Sequence, residues 1–164
     1  MIFVECKPDR LLIRILAGVV RKEIRHSGNK FEVMKQLDKH TMALGIIDED
    51  PGKNQPTQLQ KAEDISTDEI RATDLILLRY RDNLVLVLRP RLEEWILKTA
   101  REMNMNPKDF TSPNDPEQLH STINYNLDKF ERFLIQMKHH EWRSKRIEVF
   151  KNYVKNYRRI LLSH

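Results

Sequence analysis

Apolar segments alternate with amphipathic ones in the first third of the chain, and this alternation limits the possible folds more than any other feature. Residues 2–5 and 42–48 are short apolar runs typical of buried strands, and 22–28 is a further short strand candidate. Between them, 8–17 and 29–40 carry apolar residues at helical spacing. The resulting β-α-β-α-β order, with short connections, predicts a parallel sheet with right-handed crossovers.

The segments that follow predict a hairpin and several helices. The polar stretch 49–69 predicts a long loop, and two apolar runs on either side of Asp82-Asn83 predict a tight hairpin. An amphipathic helix is predicted over 91–103. A connector rich in Pro, Asn and Asp then leads to two more helices, at roughly 116–137 and 141–161.

The predicted fold class is α/β, with a Rossmann-like, mainly parallel sheet flanked by helices. We expect residues 1–104 to form one α/β domain and residues 105–164 to form a helical C-terminal extension packed on it. No apolar run approaches the roughly 20 residues that span a bilayer. The apolar start is too short for a signal peptide, and the single cysteine, Cys6, cannot form an internal disulfide, so a cytoplasmic protein is expected.

Positive charge is concentrated at the C-terminal end. Residues 138–164 contain eight Lys/Arg and two acidic residues, a net charge of +6, which leaves −1 for the rest of the chain. Arg143, Lys151, Lys155 and Arg158 lie largely off the apolar stripe of the last predicted helix. They form either an ordinary solvated face or a surface that binds the phosphate backbone of a nucleic acid.

Acidic residues follow two of the predicted strands. Glu5 follows the first strand, whereas Asp48 and Asp50 follow the third. The carboxyl ends of parallel strands share one edge of a sheet, so these carboxylates converge if the two strands are neighbours. Converging carboxylates repel one another, and a hard divalent cation such as Mg²⁺ relieves that repulsion. In extended backbone Asp48 and Asp50 point to one side and Glu49 to the other.

The same acids also fit a simple turn. Asp is common where a strand enters a loop, and Pro51-Gly52 directly follows the acids. The Asp-x-Asp pair alone therefore favours a turn, and a calcium loop is excluded because its later acidic positions are missing. Glu5 shifts the interpretation towards a metal site, since the topology places it at the same sheet edge.

The segments FVECKPDRLLIRIL, HSGNKFEVMKQL and GIIDEDPG, in that order, resemble the topoisomerase–primase (Toprim) domain family. The family signature is a Glu after the first strand, a Gly near the second and Asp-x-Asp after the third. The resemblance covers roughly residues 1–100. It is strongest to the Toprim domains of overcoming-lysogenization-defect nucleases and to small standalone Toprim-like bacterial proteins.

The resemblance implies roles for several residues. It makes Glu5 a general acid/base and a metal ligand beside Asp48 and Asp50, which would bind Mg²⁺ or Mn²⁺. Asp9 and the second-strand Gly28, which Lys30 follows closely, match further positions of the family pattern. The resemblance also implies either Glu93 or Glu94 as an additional ligand, with Glu93 preferred. Lys7 and Lys30 are cations near the same edge. They are either solvated lysines or neutralise a phosphate, with Lys30 as the catalytic candidate.

One position departs from the family pattern. Gly usually follows the catalytic Glu, and here Cys6 occupies that position. A glycine permits close backbone approach or positive φ, so Cys6 puts in doubt whether a substrate approaches there as it does in the family. We expect Cys6 to be a small buried residue rather than a catalytic thiol.

The resemblance implies a metal-dependent nuclease or phosphotransferase acting on nucleic acid, DNA rather than RNA, with a separate ATPase as a possible protein partner. The alternative is a non-catalytic module that binds nucleic acid or a protein. The sequence contains no Gly-x-x-x-x-Gly-Lys loop, so ATP hydrolysis is not expected of this chain. The oligomeric state does not follow from the sequence.

Overall fold

A six-stranded mixed sheet organises the chain. The computed structural model describes residues 1–110 and 112–164. The strands are β1 (Ile2–Val4), β2 (Ile24–His26), β3 (Leu44–Asp48), β4 (Glu63–Asp64), β5 (Leu75–Tyr80) and β6 (Asn83–Leu88), in the spatial order β2-β1-β3-β6-β5-β4. Strands β2, β1, β3 and β6 are parallel to their neighbours in this row. Strand β5 pairs antiparallel with both β6 and β4. This arrangement confirms the predicted α/β class and makes β1 and β3 neighbours.

Helices flank the sheet on both faces. The α-helices are α1 (Lys7–Leu16), α2 (Lys30–Lys39), α3 (Asp68–Ala72), α4 (Leu92–Glu102), α5 (Pro116–Tyr125), α6 (Leu127–His139) and α7 (Lys145–Leu162). Short 3-10 turns occupy Arg21–Glu23, Thr57–Lys61, Pro107–Phe110 and Glu141–Arg143. None of the helices within the described ranges is long and apolar enough to cross a membrane.

Local sequence explains where the first helices begin and end. The Asn29 side chain accepts a hydrogen bond from the Glu32 N–H at 2.9 Å, which confirms Asn29 as the N-cap of α2. Pro8 lies in the first turn of α1, where its missing N–H has no helical partner to lose. Helix α1 ends just before Gly18, whose φ of +67° most residues avoid.

The hairpin turn lies one residue earlier than predicted. Tyr80 pairs with Asn83, so the two turn residues are Arg81 and Asp82, with Arg81 at φ +52°. Asn83 is buried at the start of β6, where its side-chain amide forms hydrogen bonds with backbone groups. Its oxygen accepts from the Ala43 N–H at 2.9 Å, and its nitrogen donates to two carbonyls that end α2.

The C-terminal segment differs from the prediction in its helix limits. The helix predicted over 116–137 is broken at Asn126, whose side chain accepts from the Lys129 N–H and begins α6. The last helix starts at Lys145 rather than 141, because Ser144 caps it after a 3-10 turn. Asn and Ser favour such caps over helix interiors.

Two hydrophobic layers enclose the sheet. The larger layer unites α1, α4, α6 and α7, with Leu12, Trp95, Phe133 and Phe150 fully buried in it. The smaller layer packs α2 against Phe3 and its neighbours on the other face. The helices after residue 105 thus join the larger layer, with α5 against α4, α6 against α1, and α7 against α1 and β6. A domain boundary at 104 stays a prediction.

Candidate metal centre

Three carboxylates meet at the carboxyl edge of the sheet. Glu5 directly follows β1, Asp48 ends β3, and Asp50 lies two residues further on. One oxygen from each of the three lies within 4.8 Å of the other two. The parallel pairing of β1 with β3 causes this convergence, as the sequence predicted. We call Glu5, Asp48 and Asp50 the acidic centre, and it can bind a metal ion.

One oxygen of each carboxylate already has a protein partner. Glu5 Oε2 accepts from the Asp48 N–H at 2.7 Å, and Asp48 Oδ1 accepts from the Leu92 N–H at 3.1 Å, in the first turn of α4. Asp50 Oδ2 lies 3.6 Å from Lys30 Nζ. The second oxygen of each carboxylate has no hydrogen bond or ion pair within residues 1–110 and 112–164. Three oxygens therefore remain available as ligands.

A left-handed turn, not strand alternation, directs Asp50 towards the centre. Strand β3 ends at Asp48, and Asp50 has φ +48° rather than an extended conformation. Backbone hydrogen bonds fix the turn: the Glu49 N–H donates to the Leu88 carbonyl at 2.9 Å and the Asp50 N–H to the Pro90 carbonyl at 3.0 Å. Glu49 does point elsewhere, because its carboxylate pairs with Arg89 at 2.8 Å.

Burial and mutual repulsion make the acidic centre unfavourable when fully charged. Burial, together with the charges of Asp9 and Asp50, raises the pKa of Glu5 to about 7. The hydrogen bond from the Asp48 N–H stabilises the charged form and only partly offsets this rise. Burial and the charges of Asp9, Glu5 and Glu93 raise the pKa of Asp48 well above its ordinary value. A bound cation would remove this penalty.

The donor set fits a hard divalent cation. All three available donors are carboxylate oxygens, which Mg²⁺ and Mn²⁺ prefer over softer metals. Ligands on opposite sides of an octahedral Mg²⁺ are about 4 Å apart, since each Mg–O bond is about 2.0–2.1 Å. The spacing within the centre needs only small side-chain adjustments to match, and the donors suit Mg²⁺ and Mn²⁺ alike.

Lys30 and Gly28 lie beside the acidic centre. The Lys30 side chain is 6% exposed, and its ammonium donates to the Glu49 carbonyl and to Gln55 Oε1, both at 2.9 Å. Lys30 therefore holds the backbone and loop around Asp50, and its predicted catalytic role stays a prediction. Gly28 has φ +107°, which requires glycine, and its N–H donates to the Glu5 carbonyl at 2.9 Å.

Glu93, rather than Glu94, lies near the acidic centre. The buried Glu93 carboxylate contacts His120 Nδ1 at 2.8 Å and acts electrostatically on both Asp9 and Asp48. It is not one of the three carboxylates within 4.8 Å of one another, so its role as a ligand stays a prediction. Glu94 is held by Arg91 at the start of α4.

Cys6 is an exposed helix cap rather than the buried residue expected. It is the N-cap of α1, with an extended φ of −147°, so the backbone there needs no glycine. Its N–H and Sγ both donate to Asp9 Oδ2, at 3.0 and 3.1 Å. Surrounding protein atoms and the charge of Asp9 raise the pKa of the Cys6 thiol, which disfavours a reactive thiolate. Lys7, next in sequence, is exposed and begins α1.

The structure separates two of the predicted substrate-binding cations from the acidic centre. Lys155 and Arg158 line a cleft with Ile2 and Glu23, at the amino ends of β1 and β2. The acidic centre lies at the opposite end of β1, at the carboxyl ends of β1 and β3. A phosphate held at the centre therefore does not meet these two side chains directly.

Arg143 and Lys151 each interact with a side chain of the 3-10 turn Glu141–Arg143. The Arg143 guanidinium lies 4.8 Å from the ring centroid of the exposed Trp142. Lys151 pairs with Glu141 at 3.3 Å. In the described ranges neither residue has a hydrogen bond or ion pair with the acidic centre, and their substrate-binding roles stay predictions.

Gln55 is the site residue that sequence reasoning missed. Its Oε1 accepts from Lys30, and its Nε2 donates to the carbonyls of Glu49 and Asp50, at 2.9 and 3.1 Å. A single Gln in a polar loop carries no sequence signal for such a role, because its partners are mostly backbone groups.

Comparisons with known proteins identify no relative. The chain matches no family model, and neither a curated protein nor a solved structure matches it. The relation to Toprim domains therefore remains a prediction that rests on the residues themselves.

Proposed function

We propose that this protein is a Toprim-type, metal-dependent nuclease or phosphotransferase that acts on nucleic acid, with Mg²⁺ or Mn²⁺ at the acidic centre. The observation that carries the proposal is the convergence of Glu5, Asp48 and Asp50, each with one oxygen that has no partner among the residues the structure describes. DNA is the proposed substrate, and a separate ATPase is a possible partner.

The side chains of the centre suit phosphodiester chemistry. A divalent cation held there supplies Lewis-acid stabilisation of phosphate charge and lowers the pKa of a nearby water. In the metal-free protein burial raises the pKa of Glu5 to about 7, and a bound cation would lower it, so Glu5 would serve there as a ligand and as an acceptor for the proton of a nearby water. Asp48 is oriented by the Leu92 N–H, and Asp50 by Lys30, so each of these carboxylates is held near its position before a cation binds.

The test is cleavage of plasmid and single-stranded DNA with Mg²⁺ or Mn²⁺, together with calorimetric titration of each metal. We expect metal-dependent cleavage that Glu5→Gln and Asp48→Asn abolish. Glu63→Gln is the matched control, because Glu63 is exposed on the edge strand β4, and it should leave cleavage unchanged. Absence of both metal binding and cleavage of any nucleic acid would refute the proposal. Metal-independent nucleic-acid binding would instead favour the non-catalytic alternative.

A further inference from the structure

An apolar cleft opens beside the acidic centre, on the face of the sheet that carries α2. Its volume is about 570 Å³, within the range of small-molecule sites. Its floor is formed by side chains of three adjacent strands, namely Ile47 of β3, Val87 of β6, and Ile76 and Leu78 of β5. Asp48 and Glu49 form its end nearest the acidic centre. We call this space the loop cleft.

The loop cleft exists because α2 covers only part of its face. Helix α2 packs against β1 and β3, whereas the cover over β5 comes from the 3-10 turn Thr57–Lys61. Ile76 and Leu78 are consequently only half-buried, while Leu75 and Leu77, on the opposite face of the same strand, are fully buried. Half-buried apolar residues beside a polar site are typical of ligand pockets.

The covering segment, residues 49–62, is anchored at two points. Near its start, Gln55 bonds to Lys30 and to the carbonyls of Glu49 and Asp50. Further along, Gln58 Nε2 donates at 3.0 Å to Asp38 Oδ2, in the last turn of α2. Both anchors hold the loop above the floor, so the cleft is formed without a ligand.

The lining favours a ligand with apolar faces and polar edges. Leu59, Pro51 and Pro56 face the apolar floor from the loop. At the rim, the side chains of Lys53 and Gln60 have no hydrogen bond or ion pair in the parts of the chain that the structure describes. They offer a positive charge and an amide to a ligand. A nucleobase with its attached phosphate matches this combination.

We propose that the loop cleft binds the nucleobase of the nucleotide whose phosphate lies at the acidic centre. The proposal rests on the function proposed above and adds a base-binding subsite to it. Continuity supports it, because Asp48 belongs both to the cleft lining and to the acidic centre.

The experiment compares Ile76→Trp, which fills the loop cleft, with Ile135→Trp. Ile135 is a partly exposed residue of α6, on the other face of the molecule, and serves as the matched control. The probe is a short single-stranded DNA oligonucleotide with phosphorothioate linkages that resist cleavage and one 2-aminopurine. It is bound in the presence of Mn²⁺ and followed by anisotropy and by 2-aminopurine emission. Mn²⁺ binding is measured separately by calorimetry.

We expect Ile76→Trp to weaken oligonucleotide binding by roughly tenfold, the scale of one lost base contact, and to remove the emission change. Ile135→Trp should change neither, and Mn²⁺ affinity should stay the same in both variants. As a test that does not depend on the variant folding, an abasic site in place of 2-aminopurine should weaken binding to the wild-type protein by a similar factor.

Three results would overturn the base subsite. They are equal oligonucleotide affinity of Ile76→Trp and wild type, equal affinity for the abasic and 2-aminopurine probes, and a change of oligomeric state in Ile76→Trp that shows a second copy occupying the cleft. If Mn²⁺ binds normally in these cases, the metal function stands without the subsite. If Mn²⁺ does not bind, but Ile76→Trp and the abasic probe both weaken oligonucleotide binding, the metal function fails and the subsite stands.

Discussion

Replacing Glu5 by Gln should stabilise the metal-free protein at neutral and alkaline pH. Glu5 is held close to Asp48 and Asp50, and its carboxylate is largely removed from water. A glutamine keeps an oxygen that can accept the Asp48 N–H, so the hydrogen bond survives while the charge is removed. The substitution therefore isolates the electrostatic penalty of the acidic centre from its packing.

The pKa of Glu5 sets the size and the pH range of the effect. A rise from 4.5 to about 7 means that the folded protein binds the proton more tightly than the unfolded chain. The free energy of unfolding therefore falls as pH rises between these values and levels off above about 7. At roughly 1.4 kcal/mol per pKa unit, the full penalty is about 3 kcal/mol, so Glu5→Gln should gain roughly 1–3 kcal/mol near pH 8.

The assay is urea denaturation of metal-free wild type, Glu5→Gln and the exposed control Glu63→Gln at several pH values. The gain from Glu5→Gln should vanish near pH 4, where Glu5 is protonated in both states. Saturating Mg²⁺ or Mn²⁺ should reverse the order near pH 8 by stabilising the wild type alone. A pH-independent gain, or a loss of stability in the metal-free variant, would refute this account of the acidic centre.

Two further substitutions test the supports around the sheet. Lys30→Met should destabilise the protein by about 1–3 kcal/mol in denaturant titration, since the Glu49 carbonyl and Gln55 lose a buried partner, and limited proteolysis should then cut the 49–62 loop faster. Arg146→Met should cost about 1–3 kcal/mol, because the buried guanidinium contacts Asp74 at 2.7 Å and donates to the buried Thr99 hydroxyl at 3.0 Å. Exposed Arg143→Gln is its matched control and should stay within about 0.5 kcal/mol of wild type; equal effects of the two would contradict the burial argument.

The position of the acidic centre could be predicted from the sequence because topology alone determines it. Short connections force β1 and β3 into parallel alignment, and their carboxyl ends then coincide whatever the side chains are. Glu5 and Asp48 follow directly from that rule. The conformation of Asp50 does not, because its φ of +48° depends on hydrogen bonds to Leu88 and Pro90, about 40 positions away.

Residues whose partners are distant backbone groups could not be predicted. The turn of the hairpin was placed one residue late because Asp82-Asn83 is a good turn pair in isolation, while Asn83 is needed inside to satisfy the Ala43 N–H. The sequence leaves Lys30 either solvated or beside a phosphate, and it does not reveal the bonds from its ammonium to the Glu49 carbonyl and to Gln55. In both cases a tertiary hydrogen bond overrides the local preference.

The energetics favour a metal site over the simple turn that the Asp-x-Asp pair also fits. Acids in a turn are ordinarily solvated and keep ordinary pKa values, because water stabilises their charge. Here burial raises the pKa values of Glu5, Asp9 and Asp48 together, which lowers the stability of the charged, metal-free protein. The Asp48 N–H donates to Glu5, which is 43 positions away in sequence. A simple turn does not need such a distant carboxylate. A cation at these carboxylates would convert the same repulsion into attraction, which supports a metal site over the turn.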